Sequence, residues 1–178
     1  MGNTMKPLWA PWRMRFVKSA RKRVGRPMHS PKNCIFCEKP KLKKDRKNYL
    51  LYRGETCFIL LNIYPYNNGH LMVAPYKHIL DFNGLKKKEM LELVELTNLS
   101  VNVLRDVFNP QGFNIGLNLG KVAGAGFEHL HIHIVPRWFG DTNFMPTLAE
   151  TKVLPETLDI TYKKLGKAIT QLKNAKKH

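Results

Sequence analysis

The stretch HLHIHIVPRW at residues 129–138 alternates histidine with leucine and isoleucine, and this alternation constrains the chain more than any other feature. A period of two is the side-chain period of a β-strand, whose successive residues point to opposite faces. On such a strand His129, His131 and His133 share one face, while Leu130, Ile132 and Ile134 share the other and turn toward a core. With a rise of about 3.3 Å per residue, same-face neighbours lie roughly 6.6 Å apart and the outer two roughly 13 Å apart. One metal ion could not comfortably take all three imidazoles, so the spacing predicts divided duties. A single histidine here would ordinarily be a satisfied, half-buried residue. Three in strict alternation have no evident stabilising reason as surface decoration.

The flanking segments supply the rest of a sheet. NYLLYR (48–53) and TCFILLN (56–62) are separated by Gly54 and Glu55 and predict a hairpin from Asn48 to Asn62. GHLMVAPY (69–76) follows the turn-rich YPYNNG, and Pro75 marks an edge or a stop, because proline cannot donate to a ladder. GFNIGLNLG (112–120) pairs with the histidine strand across the glycine-rich GKVAGAG (120–126). Between these strands, Met90, Val94, Thr97, Val101, Leu104 and Phe108 fall at the three-and-four spacing of an amphipathic helix, ended by Pro110 and Gly112. A last helix starts at Pro155, with Leu158, Tyr162, Leu165, Ile169 and Leu172 on one stripe. Strands and helices are segregated, so the fold class is α+β with a five-stranded antiparallel sheet and two main helices.

A chain of 178 residues with 43% hydrophobic content can bury one substantial core, so residues 34–178 are expected to form one domain. The net charge of +17 is unevenly placed: residues 1–47 hold 15 Lys and Arg against Glu38 and Asp45. Residues 1–33 therefore read as a basic N-terminal arm. Such an arm attracts phosphate, on nucleic acid or on a polyphosphate ligand, or it is a solvated tail. An Arg-rich start is also a property of transit peptides, but Trp9 and Trp12 look meant for burial against the body or a partner subunit. No apolar run approaches the roughly 18–20 residues needed to cross a bilayer, and three cysteines do not make a disulfide framework. A soluble protein of the cytoplasm, with no membrane partner, is expected.

Taken with their neighbours, the three histidines resemble the signature of the histidine triad family of nucleotide hydrolases and transferases. NIYPYNNGHLMVAPYKH (62–78) is similar to the family's upstream segment, and GFNIGLNLG with AGAG to the strand and loop before the triad. LWAPWRMRF (8–16), CIFC (34–37) and PRWFGDTNFMP (136–146) resemble the bacterial branch that includes diadenosine tetraphosphate phosphorylases.

The resemblance implies cleavage of a dinucleoside polyphosphate, or a related nucleotide conjugate, through a covalent nucleotidyl-histidine. Phosphate or water then completes the reaction. It names His131 as nucleophile, with His133 and His70 lining the phosphate site. The chemistry is sound, since a neutral imidazole with an ordinary pKa of about 6.5 is a good nucleophile near neutral pH. Asn62 and Asn118 match positions that contact ribose and phosphate or orient the site; each could also serve as a turn or strand-end hydrogen-bonding residue. Gly124 and Gly126 let backbone N–H groups approach phosphate oxygens. At Ala125 and Gly126 many members carry Gln and then Ser or Thr, so side-chain donors are lost here, and both acceptors stay open.

The resemblance also implies a structural zinc site of Cys34, Cys37, His78 and His129, which is a usual closed set of two thiolates and two imidazoles. A redox role for the C-x-x-C pair would want a strand and a helix around it, whereas Pro31 and Pro40 bracket this one in a loop; two idle thiols are the other reading, and Cys57 is assigned to the core. The family's usual homodimer, pairing two five-stranded sheets, is a further implication. The rival class is a basic nucleic-acid or nucleotide-binding module with a vestigial triad. The intact triad with His70 and Asn118 favours the enzyme.

Overall fold

The computed structural model describes residues 34–142 and 153–175. The arm 1–33 with Trp9, Trp12 and His29, the end of PRWFGDTNFMP, and His178 lie outside the described residues. In chain order the elements are α1 (Ile35–Lys41), α2 (Asp45–Asn48), β1 (Leu50–Arg53), β2 (Cys57–Leu61), β3 (Leu71–Pro75), α3 (Lys87–Phe108), β4 (Gly112–Gly116), β5 (Ile132–Arg137) and α4 (Leu158–Ala175). The strands form one sheet in the order β1-β2-β3-β5-β4, every neighbour antiparallel. The expected α+β architecture, five strands and two long helices, is what is found.

Alternation along the strands sorts the residues into two layers. Ile59 and Leu61 of β2, Leu71 and Val73 of β3, and Ile132 and Ile134 of β5 meet Leu93, Leu96, Val103 and Leu104 of α3 and Leu165 and Ile169 of α4 in the main core. Phe58, Leu60, Met72 and Ala74 point the other way and pack against Cys34, Phe36 and Cys37 at the start of α1. The last helix begins at Leu158 and not at Pro155, and the stripe read for it is the one that packs, with Leu165, Ile169 and also Thr161 buried and Leu158, Tyr162 and Leu172 partly so.

The stripe read for α3 is corrected in its first half: Met90 and Val94 are exposed, Val101 and Leu104 are buried as read, and the buried face runs through Leu93, Leu96, Ser100, Val101, Val103 and Leu104. The helix carries apolar residues on both sides, so periodicity alone selected a neighbouring line. The first hairpin is also shorter than expected. Asn48 closes the helical turn α2, Tyr49 takes a left-handed φ of 55°, and only then does β1 begin.

One glycine is dictated by a close approach. Gly69 has φ +74°, and a Cβ there would come within 3.0 Å of Leu104 and 3.2 Å of Phe108. A side chain there would be strained by the left-handed backbone and would press on the side-chain ends of Leu104 and Phe108, beside the turn that delivers His70 to the sheet.

Candidate active site and metal centre

Two clusters stand side by side on the α1 face of the sheet. The first begins at α1. The Cys34 carbonyl accepts the N–H groups of Cys37 and Glu38, both at 3.0 Å, which winds the first helical turn and puts the two sulfurs on one side. His78 follows β3, and His129 precedes β5. His129 donates its Nε2–H to the Pro75 carbonyl at 2.9 Å, so its Nδ1 lone pair faces inward. That nitrogen lies 3.4 Å from Cys34 Sγ, 3.6 Å from Cys37 Sγ and 3.3 Å from His78 Nδ1, and His78 Nδ1 lies 3.4 Å from Cys37 Sγ.

All four donor atoms fall within 4.8 Å of one another. Bonds of about 2.0–2.3 Å to a tetrahedral ion imply ligand-to-ligand edges of roughly 3.3–3.8 Å, which the four nitrogen and sulfur distances just given match. Burial, then the neighbouring Cys34, pushes the Cys37 thiol up to about 11. A divalent cation among these donors would reverse that balance and favour the thiolates. The residues fit a metal ion.

The second cluster surrounds a cavity of about 360 Å³ whose wall includes Asn62, Gly124, Gly126, His131 and His133. His131 Nδ1–H donates to the His129 carbonyl at 2.6 Å, which leaves Nε2 with the lone pair. His70, wholly buried, receives the Tyr66 backbone N–H on Nδ1 at 3.0 Å. Its Nε2 therefore carries the proton and donates to His133 Nδ1 at 2.9 Å. By the same accounting His133 keeps a proton on Nε2. Burial lowers the pKa of His70 to about 3, with the neighbouring His133 and His131 adding to it, and lowers His133 to about 4. Burial likewise depresses His131, partly offset by its bond to the His129 carbonyl. The imidazoles are held neutral, one aiming a lone pair and its neighbour an N–H.

The histidines deviate from the expected strand. Only His133 lies in β5; His129 and His131 occupy the irregular stretch before it. The ladder with β3 stops at Val73↔Ile132, and the Leu130 N–H donates instead to the Ile79 carbonyl at 2.7 Å. The chain thereby peels away and carries His129 to the metal cluster. The C-x-x-C pair is corrected too: it opens a helix, with Cys34 as N-cap, and Pro40 sits inside that helix, where its missing N–H removes one i→i−4 bond.

Asn62 lines the cavity, with its amide 3.3 Å from His70 Nδ1 and its Oδ1 accepting the Tyr64 N–H. Asn118 is not in the wall; its amide donates to the Gly124 carbonyl at 3.5 Å and so steadies the loop. Sequence reasoning missed Phe36, which stacks on His131, and Tyr66, whose ring lies 4.7 Å from that of His70. Proximity to the motifs was the only available signal.

The HIT domain family model matches residues 43–140. The AP-4-A phosphorylase of Mycobacterium tuberculosis is 42% identical over 161 residues, covering 89% of this chain and 82% of its own length. Among solved structures, a Zn-bound histidine triad family protein from Mycobacterium smegmatis superposes with a TM-score of 0.66 at 24% identity, covering 82% of this chain and 99% of that one. A histidine triad nucleotide-binding protein from Sulfolobus tokodaii does so at 0.63 and 27%, covering 79% and 94%. With the fold, the family model and a close relative in agreement along most of its length, the chain belongs to the HIT family.

Proposed function

We propose that the protein is an enzyme that cleaves dinucleoside polyphosphates, such as diadenosine tetraphosphate, at an α-phosphate through a nucleotide carried on His131. The observation that carries this reading is the 2.6 Å bond from His131 Nδ1–H to the His129 carbonyl, which leaves the Nε2 lone pair to attack. The Nε2–phosphorus bond forms as the bond from phosphorus to the leaving polyphosphate oxygen breaks, and that oxygen takes the electron pair. Water or inorganic phosphate then attacks the same phosphorus and frees His131. His133 Nε2–H, held by the chain of bonds through His70 to the Tyr66 backbone, serves as a donor toward phosphate oxygens. Gly124, with φ +96°, and Gly126 leave room for backbone N–H groups at the same oxygens, and Asn62 and Asn118 orient the surrounding chain.

Cys34, Cys37, His78 and His129 would hold a zinc ion. It would supply a structural cross-link, because four protein ligands complete the shell. The name of the 42% identical relative supports the substrate class. We further propose a homodimer, a cytoplasmic location and a division between a basic arm (1–33) and the HIT domain (34–178). Among the described residues no helix is long and apolar enough to cross a membrane. Light scattering on the full chain checks the dimer.

Mixing the protein with diadenosine tetraphosphate, with and without phosphate, tests the reaction. ATP plus ADP marks phosphorolysis, ATP plus AMP marks hydrolysis, and two ADP would exclude attack at the α-phosphorus. His131→Ala should abolish the nucleotidyl adduct seen by intact mass and lower turnover by more than about 10³-fold.

A further inference from the structure

We propose that Phe36 is the positioning residue for His131, a flat wall that fixes the plane of the imidazole and so the aim of its Nε2. Its ring stacks on His131 with centroids 4.5 Å apart and planes 28° apart, and continues over His129 at 5.2 Å and 34°. Phe127 meets the same ring edge-on at 6.2 Å, and Phe36 is 1% exposed. His131 also meets His133 nearly perpendicularly, with centroids 4.6 Å apart and planes at 72°.

A wall is needed because the outer torsion of a histidine has broad, shallow minima. The bond to the His129 carbonyl pins one edge of the ring. The stacked face of Phe36 and the neighbouring His133 ring restrict the remaining rotation. Phe36 is itself held firmly. It lies between Cys34 and Cys37 on α1, and both sulfurs reach His129. The residues that gather for a metal therefore also seat the ring that aligns the proposed nucleophile.

This inference rests on His131 being the nucleophile, and its consequence is kinetic. A leucine would fill much of the space but offer no plane. Mis-aiming a reacting atom by about 1 Å can cost 10²-fold in rate. Phe36→Leu should slow the single-turnover formation of the nucleotidyl adduct by about 10- to 100-fold. Phe36 also lines the cavity, so the Kd for AMP is measured alongside and should change by less than the rate does; bound metal should not change. Phe36→Tyr, which keeps the plane, should restore the rate to within about 3-fold.

In the full-length protein, NMR should show cross-relaxation between the Phe36 and His131 ring protons. The His131 protons should be shifted upfield by the aromatic ring, and the shift should vanish in Phe36→Leu and persist in Phe36→Tyr. A weaker AMP affinity at an unchanged rate would make Phe36 a mere wall of the nucleotide cavity and overturn the proposal. So would absence of the ring contact in the wild type, which is readable whether or not any variant folds. If the wild type forms no adduct, the proposed function fails, and the NMR contact reports separately on the positioning.

Discussion

At the scale of single residues, hydrogen bonds assign a tautomer to each imidazole. The Tyr66 N–H fixes His70, His70 fixes His133, and two backbone carbonyls fix His129 and His131. Neutrality of the buried pair carries a stability consequence. His70 is lowered from 6.5 to about 3 in the folded protein. A depressed pKa means the unfolded chain binds the proton first. The contribution is thus complete above pH 6.5 and is lost as pH falls toward 3. Replacing His70 with Gln should flatten the pH dependence of unfolding free energy between pH 6 and 4 by about 1.4 kcal/mol per pH unit. Parallel slopes in urea titrations of the two proteins would contradict this. That His70, His131 and His133 come together was legible in the sequence. Their protons were not, because a tautomer depends on which carbonyl or N–H the fold brings within reach.

Among the elements, α3 illustrates how an exposed-looking residue can hold a sheet together. Glu92 reaches the turn between β1 and β2 and accepts the N–H groups of Glu55 at 2.6 Å, Thr56 at 2.5 Å and Cys57 at 3.0 Å, along with the Thr56 hydroxyl. Burial raises its carboxyl pKa, but these bonds outweigh burial and hold it below the usual carboxylate value. Glu92→Ala should lower unfolding free energy by about 2–4 kcal/mol, since several donors lose a charged partner at once. Glu92→Gln should cost less, and thermal denaturation separates the two. On the sequence Glu92 is one charge on a polar helix face, and nothing local announces its partners 36 residues earlier. The same blindness displaced the α3 stripe toward Met90 and Val94: an apolar residue's spacing shows that a face exists, but which of two candidate lines packs is settled by the sheet beneath.

For the molecule as a whole, the proposed metal ties α1 to the segments that follow β3 and precede β5. Cys34→Ser should therefore reduce bound zinc below stoichiometry by elemental analysis and lower Tm by several degrees, as loss of about 1–2 kcal/mol would. Unchanged metal content in that variant would remove Cys34 from the ligand set. The sequence by itself determined the two faces of the sheet, because a period of two is a property of the extended backbone and needs no partner. It likewise singled out the pairs of residues whose types suit a metal or a phosphorus centre. Only the tertiary structure decided that the histidine strand begins at Ile132, that Cys34 caps a helix, and that Phe36 lies flat on His131. The start of the strand and the seat of Phe36 follow from contacts between segments 51 and 95 residues apart, and no local preference of the chain encodes which distant atom will be there to meet it.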